Sequence, residues 1–500
     1  MTSKKQYDVI IIGSGLGGLI CGIILQKHGY STCILEQHSQ IGGNIQTFTR
    51  KGCTFTTGMH YIGSLNDGQI LHQLFNYLGI LDKIKIKKLD EDCFEKIIIE
   101  DDEYCYAMGI ENFKKRLIDY FPEEIPAIEK YVQKLEEIWN KINIINLREV
   151  SEKDIYKADA DPKSAYDFID SLTDNYKLKA VLAATNGLYA GVKDKTPLHI
   201  HAIINKFFIQ SAWKLDEREV SFADVLLEEF EKQGGTIKTR KKVNKIICNE
   251  NKAVAVKTTD QDIIYGKSII SNIHPELTNE LIEPGILRKA YINRIKGLEN
   301  SISPFSLYIV LKEKTFKHIN SNIYYSSSYD VWGVDTYNSE NWPQGYIFYT
   351  TPSSVHQGFA ESATIITYMK YDEVKKWKNT TIAKRGNDYI KFKEEKTKQL
   401  LNLIEKKIPG LKSSIDSLYS STPLTFRDYT GSPGGSMYGV IKDYKDPLST
   451  FLSHNTRIPN IFLTGQNINL HGMLGVAISA IITCSGFLDI NKLINDIKDE

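Results

Sequence analysis

The hydrophobic positions along this chain change period sharply near the N-terminus. Tyr7-Asp-Val-Ile-Ile-Ile12 is apolar at almost every position, which suits a central parallel strand covered on both faces. Gly13-Ser-Gly-Leu-Gly-Gly18 follows at once, and Leu19 to His28 then reads as a helix closed by Gly29. Ser31 to Leu35 predicts a second strand that ends at Glu36. Further on, Ala253–Val256 and Ile263–Ile264 alternate around the turn-forming Asp260-Gln-Asp262. Ile458 to Leu463 predicts another strand, running into a glycine turn, and His471 to Ala480 opens a helix rich in small residues. Two stretches imitate membrane spans: Val9 to Leu25, preceded by Lys4 and Lys5, and His471 to Leu488. Both are at or below the ~18–20 residues that cross a bilayer, and both carry spaced glycines. They are read as buried elements of a nucleotide fold, with no targeting sequence otherwise visible.

The strand, glycine turn, helix, strand and acid form one complete unit, and each part has a physical task. Gly13 permits the tight turn, Gly15 lets backbone approach a pyrophosphate, and Gly18 lets helix and strand pack closely. Gly17 lies in the same loop. The helix N-terminus offers free N–H groups and a positive dipole end to phosphate. Glu36 can accept hydrogen bonds from both ribose hydroxyls and would repel a 2′-phosphate, so FAD or NAD is expected rather than NADP. Gly42-Gly43-Asn44, just past the acid, brings more backbone towards the dinucleotide; the pattern resembles the two-dinucleotide-binding-domain flavoproteins, and that resemblance implies FAD rather than NAD.

Composition narrows the class further. The chain has 500 residues, so two or three domains of ~100–200 residues are expected. It is 42% hydrophobic and 25% charged, an average globular mix that argues against disorder, collagen-like repeats or a polytopic membrane protein. Lys plus Arg number 62 and Asp plus Glu 61, leaving +1, so no global charge drives binding to nucleic acid or acidic membranes. The 28 Tyr, 20 Phe and 5 Trp could line a cavity or simply pack a core. Seven cysteines without a C-x-x-C pair make a disulfide scaffold or structural zinc site unexpected and suggest reduced cytoplasmic thiols. His199-Ile-His201 would share a face on a strand, but core or surface histidines are the preferred reading, and no metal is expected.

With these residues in place the sequence resembles a known group. Gly42-Gly43-Asn-Ile-Gln-Thr-Phe48 with Phe55-Thr-Thr-Gly58-Met-His60-Tyr61-Ile-Gly63 is similar to the phytoene desaturase and carotenoid isomerase superfamily of FAD oxidoreductases, most of all its retinol saturase branch. Thr464-Gly465-Gln466-Asn467 and His471-Gly472-Met473-Leu-Gly475 match the C-terminal FAD motif of that family. Gly234-Gly235 and Val243-Asn-Lys-Ile-Ile247 match the return to its FAD domain, where the backbone of a residue like Val243 meets adenine. Trp377, Arg385, Thr422-Pro-Leu-Thr-Phe-Arg427-Asp428-Tyr429 and Tyr438-Gly439 match the saturase branch. Asn44 departs from the basic residue many members carry. Ser211 to Glu219 lacks the family's glycine-rich turn, which leaves room for a different substrate.

The resemblance implies an α/β architecture: a discontinuous Rossmann-like FAD-binding domain (1–75, 214–285, 450–500) with an α+β substrate-binding domain (76–213, 286–449). It implies FAD as cofactor, held by Gly13, Gly15, Gly17, Gly18, Glu36, Gly42, Gly43, Asn44, Gly58, Val243, Gly465, Gln466, Gly472, Met473 and Gly475. It implies hydride exchange with a C=C or C–C bond of an apolar polyene or isoprenoid, with an electron donor or acceptor left unassigned. One proton must also move. His60, Tyr61, Arg427, Asp428, Tyr429 and His471 are the candidates. His60 bonding only a backbone carbonyl, and Arg427–Asp428 as a structural ion pair, are the plainer readings. A redox-neutral cis–trans isomerase using reduced FAD is the alternative function; an amine oxidase or a flavin-free binding protein like the Rab GDP-dissociation inhibitors ranks lower. A cytoplasmic protein is expected, with peripheral membrane contact a further expectation. Ile203 to Lys214 reads either as an interfacial helix or, preferably, as a core helix.

Overall fold

The computed structural model describes residues 6–151, 163–333 and 336–499; Lys4 and Lys5 lie outside the described residues. One seven-stranded sheet carries the N-terminal unit. Its central strand, Gln6–Ile12, lies between Thr32–Leu35 and Ile263–Ser271, parallel to both. Thr236–Lys238 extends it on one side, and Ile461–Leu463 runs parallel to Ile263–Ser271 on the other. Val243–Asn249 and Lys252–Thr258 form the antiparallel edge. The register puts Leu35, Ile12, Ser271 and Leu463 level with one another. The four loops that follow them, at Glu36, Gly13, Asn272 and Thr464, therefore emerge side by side at the carboxyl ends of parallel strands, where such sheets bind their ligands.

Neither membrane-like run is a span. The first divides into the strand Gln6–Ile12 and the helix Leu16–Lys27, and the second holds the helix Gly472–Cys484. Both helices are buried along almost their whole length, which explains their uniform apolarity, and they pack on each other. Among the described residues no helix is long and apolar enough to cross a membrane.

A second seven-stranded sheet runs in the order Ile415–Ser421, Ser303–Leu311, Ala360–Met369, Gly345–Pro352, Asn322–Ser326, Glu95–Ile99, Asp102–Tyr106. Alternation decides its faces: Phe305, Leu307 and Ile309 enter one core, while Tyr308 and Val310 turn to Cys53 and Phe55. The helix Leu198–Gln210 packs on Ile125–Lys141 and is buried through most of its length, as the core reading expects, but the expected helix through Lys214 is cut short: Ala212–Leu215 is a strand. The helix's apolar residues join one continuous cluster with those of Leu16–Lys27.

One expectation needs correction, and the metal alternative at His199-Ile-His201 gives way to the preferred core reading. Cys93 and Cys105 form a disulfide; the hairpin of Glu95–Ile99 and Asp102–Tyr106 folds the chain back so that cysteines twelve residues apart meet. The other five cysteines are not in disulfides. His199 and His201 sit on a helix rather than a strand, so they do not share a face. His201 is bound by the hydroxyls of Tyr131 and Tyr189 at 2.8 and 2.7 Å, and His199 packs on Phe451. No cluster of metal-ligating side chains occurs among the described residues.

Candidate functional site

The glycine turn shows why its sequence permits nothing larger. Gly13 has φ +93°, a conformation that favours glycine. A Cβ on Gly17 would come 2.8 Å from Asn272 Oδ1, and one on Gly18 would strike the Gly13 carbonyl oxygen. Gly15 is the N-cap of Leu16–Lys27, so the first N–H groups of that helix open where the strands end. Gly42, φ +105°, bridges back to Gly15, and its N–H donates to the Ser14 carbonyl at 3.1 Å. Glu36 is buried beside them. Its Oε2 accepts from the Ser14 N–H at 3.1 Å and hydroxyl at 2.6 Å, and its Oε1 accepts from the His38 N–H at 2.9 Å. Oε2 is satisfied by these two bonds, and Oε1 keeps acceptor capacity for a further donor.

These loops line a cavity of about 610 Å³. Gly13, Gly15, Gly17, Glu36, Gly42, Gly43, Asn44, Gly58, Val243, Gly465, Gln466, Gly472 and Met473 all reach it. Gly18 and Gly475 do not line it. Gly18 serves the close approach of helix to strand, and a Cβ on Gly475 would meet the backbone of Leu470. The helix Gly472–Cys484 points its N-terminus into the cavity through Gly472, Met473 and Leu474, a position that favours developing negative charge.

Along its length the cavity changes character. At one end Glu36, Gln37, Lys242 and Val243 face Leu277 and the helix Pro423–Thr430. Arg427 and Asp428 belong to this end: the ring of Tyr429 lies 5.9 Å from that of His38, and Gly431 lies against Gln37 and Leu277. Arg427 is also bound within the protein, donating to Asp428 Oδ1 at 2.7 and 2.9 Å, the Tyr371 hydroxyl at 3.1 Å and the Lys378 carbonyl at 2.8 Å. Arg385 holds the other oxygen of Asp428. Elsewhere the lining becomes apolar: Leu188, Ile203, Ile204, Phe207, Phe208 and Tyr438.

His60 and Tyr61 line the cavity together with these apolar residues. His60 stacks on Tyr349 at 5.0 Å, and its Nε2 is buried without a partner among the described residues, so it does not simply bond a carbonyl through that nitrogen. Burial, aided by the charge of Lys214, holds the His60 pKa down to about 3. Burial, with Lys442, does the same for His471, which packs on Tyr438 at 4.5 Å. Both imidazoles are therefore neutral at neutral pH. Tyr61 is stacked on Phe208 at 4.1 Å, and its hydroxyl donates to Glu95 and meets that of Tyr324 at 3.1 Å.

Sequence reasoning did not assign a site role to Asn272 or to the apolar lining. Asn272 Nδ2 donates to the Gly13 carbonyl at 3.3 Å, and its side chain lies against Gly15, Gly17 and Gly465, between the two glycine turns. The available signal was its position, directly after an apolar parallel strand. The apolar residues of Leu198–Gln210 gave no such signal, because a cavity wall and a core helix carry the same composition.

The glycine cradle fits a dinucleotide, and the comparisons agree. The NAD(P)-binding Rossmann-like domain family matches residues 11–78. Among solved structures, a triple mutant from a cofactor-binding redesign of putrescine oxidase superimposes with TM-score 0.65 at 13% identity. The match covers 96% of this chain and 98% of that one and shows the fold alone. Fold and cavity together define a Rossmann-like dinucleotide-binding fold with its cavity at the strand ends. Two curated relatives narrow the class. All-trans-retinol 13,14-reductase of Danio rerio is 26% identical over 97% of this chain and 86% of its own length. The chloroplastic prolycopene isomerase of Daucus carota is 23% identical over 96% of this chain and 79% of its own. Over nearly its whole length the chain is similar to both of these enzymes, the retinol reductase and the carotenoid isomerase.

Proposed function

We propose that this protein is an FAD-dependent oxidoreductase that saturates, or in reverse desaturates, a carbon–carbon bond of a long apolar polyene. The observation that carries the reading is the continuity of the cavity: a glycine-walled half beside an acid, opening into a half lined by isoleucine and phenylalanine. Its relationship to all-trans-retinol 13,14-reductase supports a polyene, and the second glycine pair packed on the first supports FAD over NAD.

FAD bound here supplies or takes up the hydride. The residues of this chain do the rest. Gly13, Gly15 and Gly17 with Gly42 and Gly43 would hold the pyrophosphate at the helix N-terminus. Glu36 would accept from the ribose, and Val243 would meet the adenine. Gly58, Gly465, Gln466, Gly472 and Met473 would hold the flavin end. Arg427 and Asp428 are assigned to holding the nucleotide end, since their bonds fix the helix that closes it. Leu188, Ile203, Ile204, Phe207 and Phe208 orient the polyene and exclude water. Tyr61, at the cavity wall, gives or takes the proton. Residues 1–75, 214–285 and 450–500 form the FAD unit, and the remainder forms the cover.

The test is an anaerobic reaction of dithionite-reduced protein with a panel of polyenes, following the flavin spectrum and product mass. A gain of two hydrogens with reoxidation of the flavin is expected. An unchanged mass with a new isomer would replace this reading with the isomerase, and failure to take up FAD would overturn both.

A further inference from the structure

Leu188, Ile203, Ile204, Phe207 and Phe208 give the substrate half of the cavity few groups that could supply a proton, yet saturation needs one per turnover. His60 and His471 are neutral, and the Tyr61 phenol, raised by burial and by Glu95, is by itself a weak acid. Behind Tyr61 stands a carboxyl group that the proposed function has not used. Glu95 opens the strand Glu95–Ile99, where alternation sends Ile97 and Ile99 into the same apolar cluster as Tyr61 and Tyr324. An acid here replaces what the pattern would make an aliphatic residue. It is 1% exposed, and leaving a carboxyl in such a place is costly unless it is paired or protonated.

The groups that face Glu95 are all uncharged at neutral pH. Tyr61 donates to Oε1, and Tyr324 lies within hydrogen-bonding reach. Tyr106 is its register partner on one side, and Asn322, with a fully buried amide, is its partner on the other. No lysine or arginine is among the groups acting on it. Burial therefore dominates and pushes its pKa up to about 8, so the carboxyl keeps its proton at neutral pH. Tyr324 also lines a second cavity of about 80 Å³, whose walls include Ile97, Gly187 and Tyr368 and not Tyr61.

We propose that Glu95 is a buried proton store that recharges Tyr61, and that Tyr324 connects it to the second cavity. The inference rests on Tyr61 as the proton donor. In saturation the hydride comes from a reduced flavin and forms a C–H bond at one carbon as the π bond breaks. The Tyr61 hydroxyl proton forms the second C–H bond at the other carbon. The Glu95 carboxyl proton passes to the Tyr61 oxygen, and the carboxylate regains a proton from water by way of Tyr324. In desaturation each transfer reverses. Glu95 acts through Tyr61, so it is a positioning and proton-supplying residue.

Three variants and two readouts separate the outcomes. Infrared difference spectra of cofactor-free protein, wild type against E95Q, should show a protonated carboxyl band near pH 6 that disappears through about pH 8. Absence of that band at pH 6 would overturn the proposal whatever the activity. In FAD-loaded protein, Y61F should abolish saturation. E95Q should lower turnover at least tenfold with KM little changed, and should lose the decline in rate that wild type shows as pH rises through about 8. Y324F should slow steady-state turnover more than a single turnover. Full activity of Y61F would remove Tyr61 as donor and the proposal with it. An inactive Y61F with a wild-type rate and pH profile for E95Q would overturn the role of Glu95 alone.

Discussion

The two halves of the cavity are built on opposite principles. The nucleotide half is made of backbone. Its side chains are mostly absent, and its shape follows from four parallel strands ending level and from turns that only glycine can take. The apolar half is made of side chains carried on the helix Leu198–Gln210 and on loops, with a sheet of phenols and one acid behind them. Backbone sites recognise phosphate, which every dinucleotide shares. Side-chain sites recognise what differs between substrates. The first half should therefore be intolerant of almost any change, and the second should trade one substrate for another.

The largest effect is expected from Gly18→Val. Its Cβ would meet the Gly13 carbonyl oxygen and lie 3.2 Å from Ile11 Cγ2, so backbone must shift. A loss of about 3 kcal/mol is expected from overpacking, with loss of bound flavin. Thermal unfolding and the flavin absorbance of the purified variant check it; a stable yellow variant would break the contrast.

Glu36→Gln is a smaller perturbation of the same half. It removes the charge that the Ser14 hydroxyl, the Ser14 and His38 amides and the ribose would share. A loss of about 1.5–3 kcal/mol in FAD affinity is expected, roughly 10–100-fold in Kd. Titration of cofactor-free protein measures it.

Phe208→Ala acts on the other half. The ring stacks on Tyr61 at 4.1 Å and lines the cavity without touching the glycine turns. KM for a polyene should rise about tenfold, or ~1.4 kcal/mol, with FAD content unchanged. A variant that lost FAD instead would show that the halves are not independent.

Stability should also depend on pH from both ends. His60, His201 and His471 have folded pKa values near 3 against 6.5 for the free side chain. The unfolded chain binds more protons between those values. Their contribution is complete above pH 6.5 and declines as pH falls towards 3. Glu95 has the opposite sign, because its folded pKa of about 8 lies above its ordinary 4.5. Its contribution is complete below 4.5 and is lost as pH rises through about 8. Tm measured across pH should fall on both sides, and E95Q should flatten only the alkaline side.

The same contrast explains what could be read from the sequence. Gly13 to Gly18 and Gly42–Gly43 were legible because close backbone approach leaves few residues a choice. The strand ending at Leu35 and the acid after it were legible because period and spacing fix them. Glu95 was not, since an acid before Lys96 and three isoleucines looks like the polar start of a half-exposed strand. Only the pairing of that strand with Asn322–Ser326, more than two hundred residues away, buries it. The Cys93–Cys105 pair was hidden in the same hairpin, because spacing alone does not show that a chain folds back. His199-Ile-His201 misleads for a related reason: a two-residue spacing means a shared face only on a strand, and tertiary packing made this segment a helix.

The central claim is that flavin and polyene occupy one cavity. Titrating oxidised, FAD-loaded protein with a non-reacting polyene and following the flavin absorption band tests it most directly. A saturable shift is predicted, with a half-point that moves about tenfold in Phe208→Ala. Polyene binding seen by an independent method, with no change in the flavin spectrum, would contradict it.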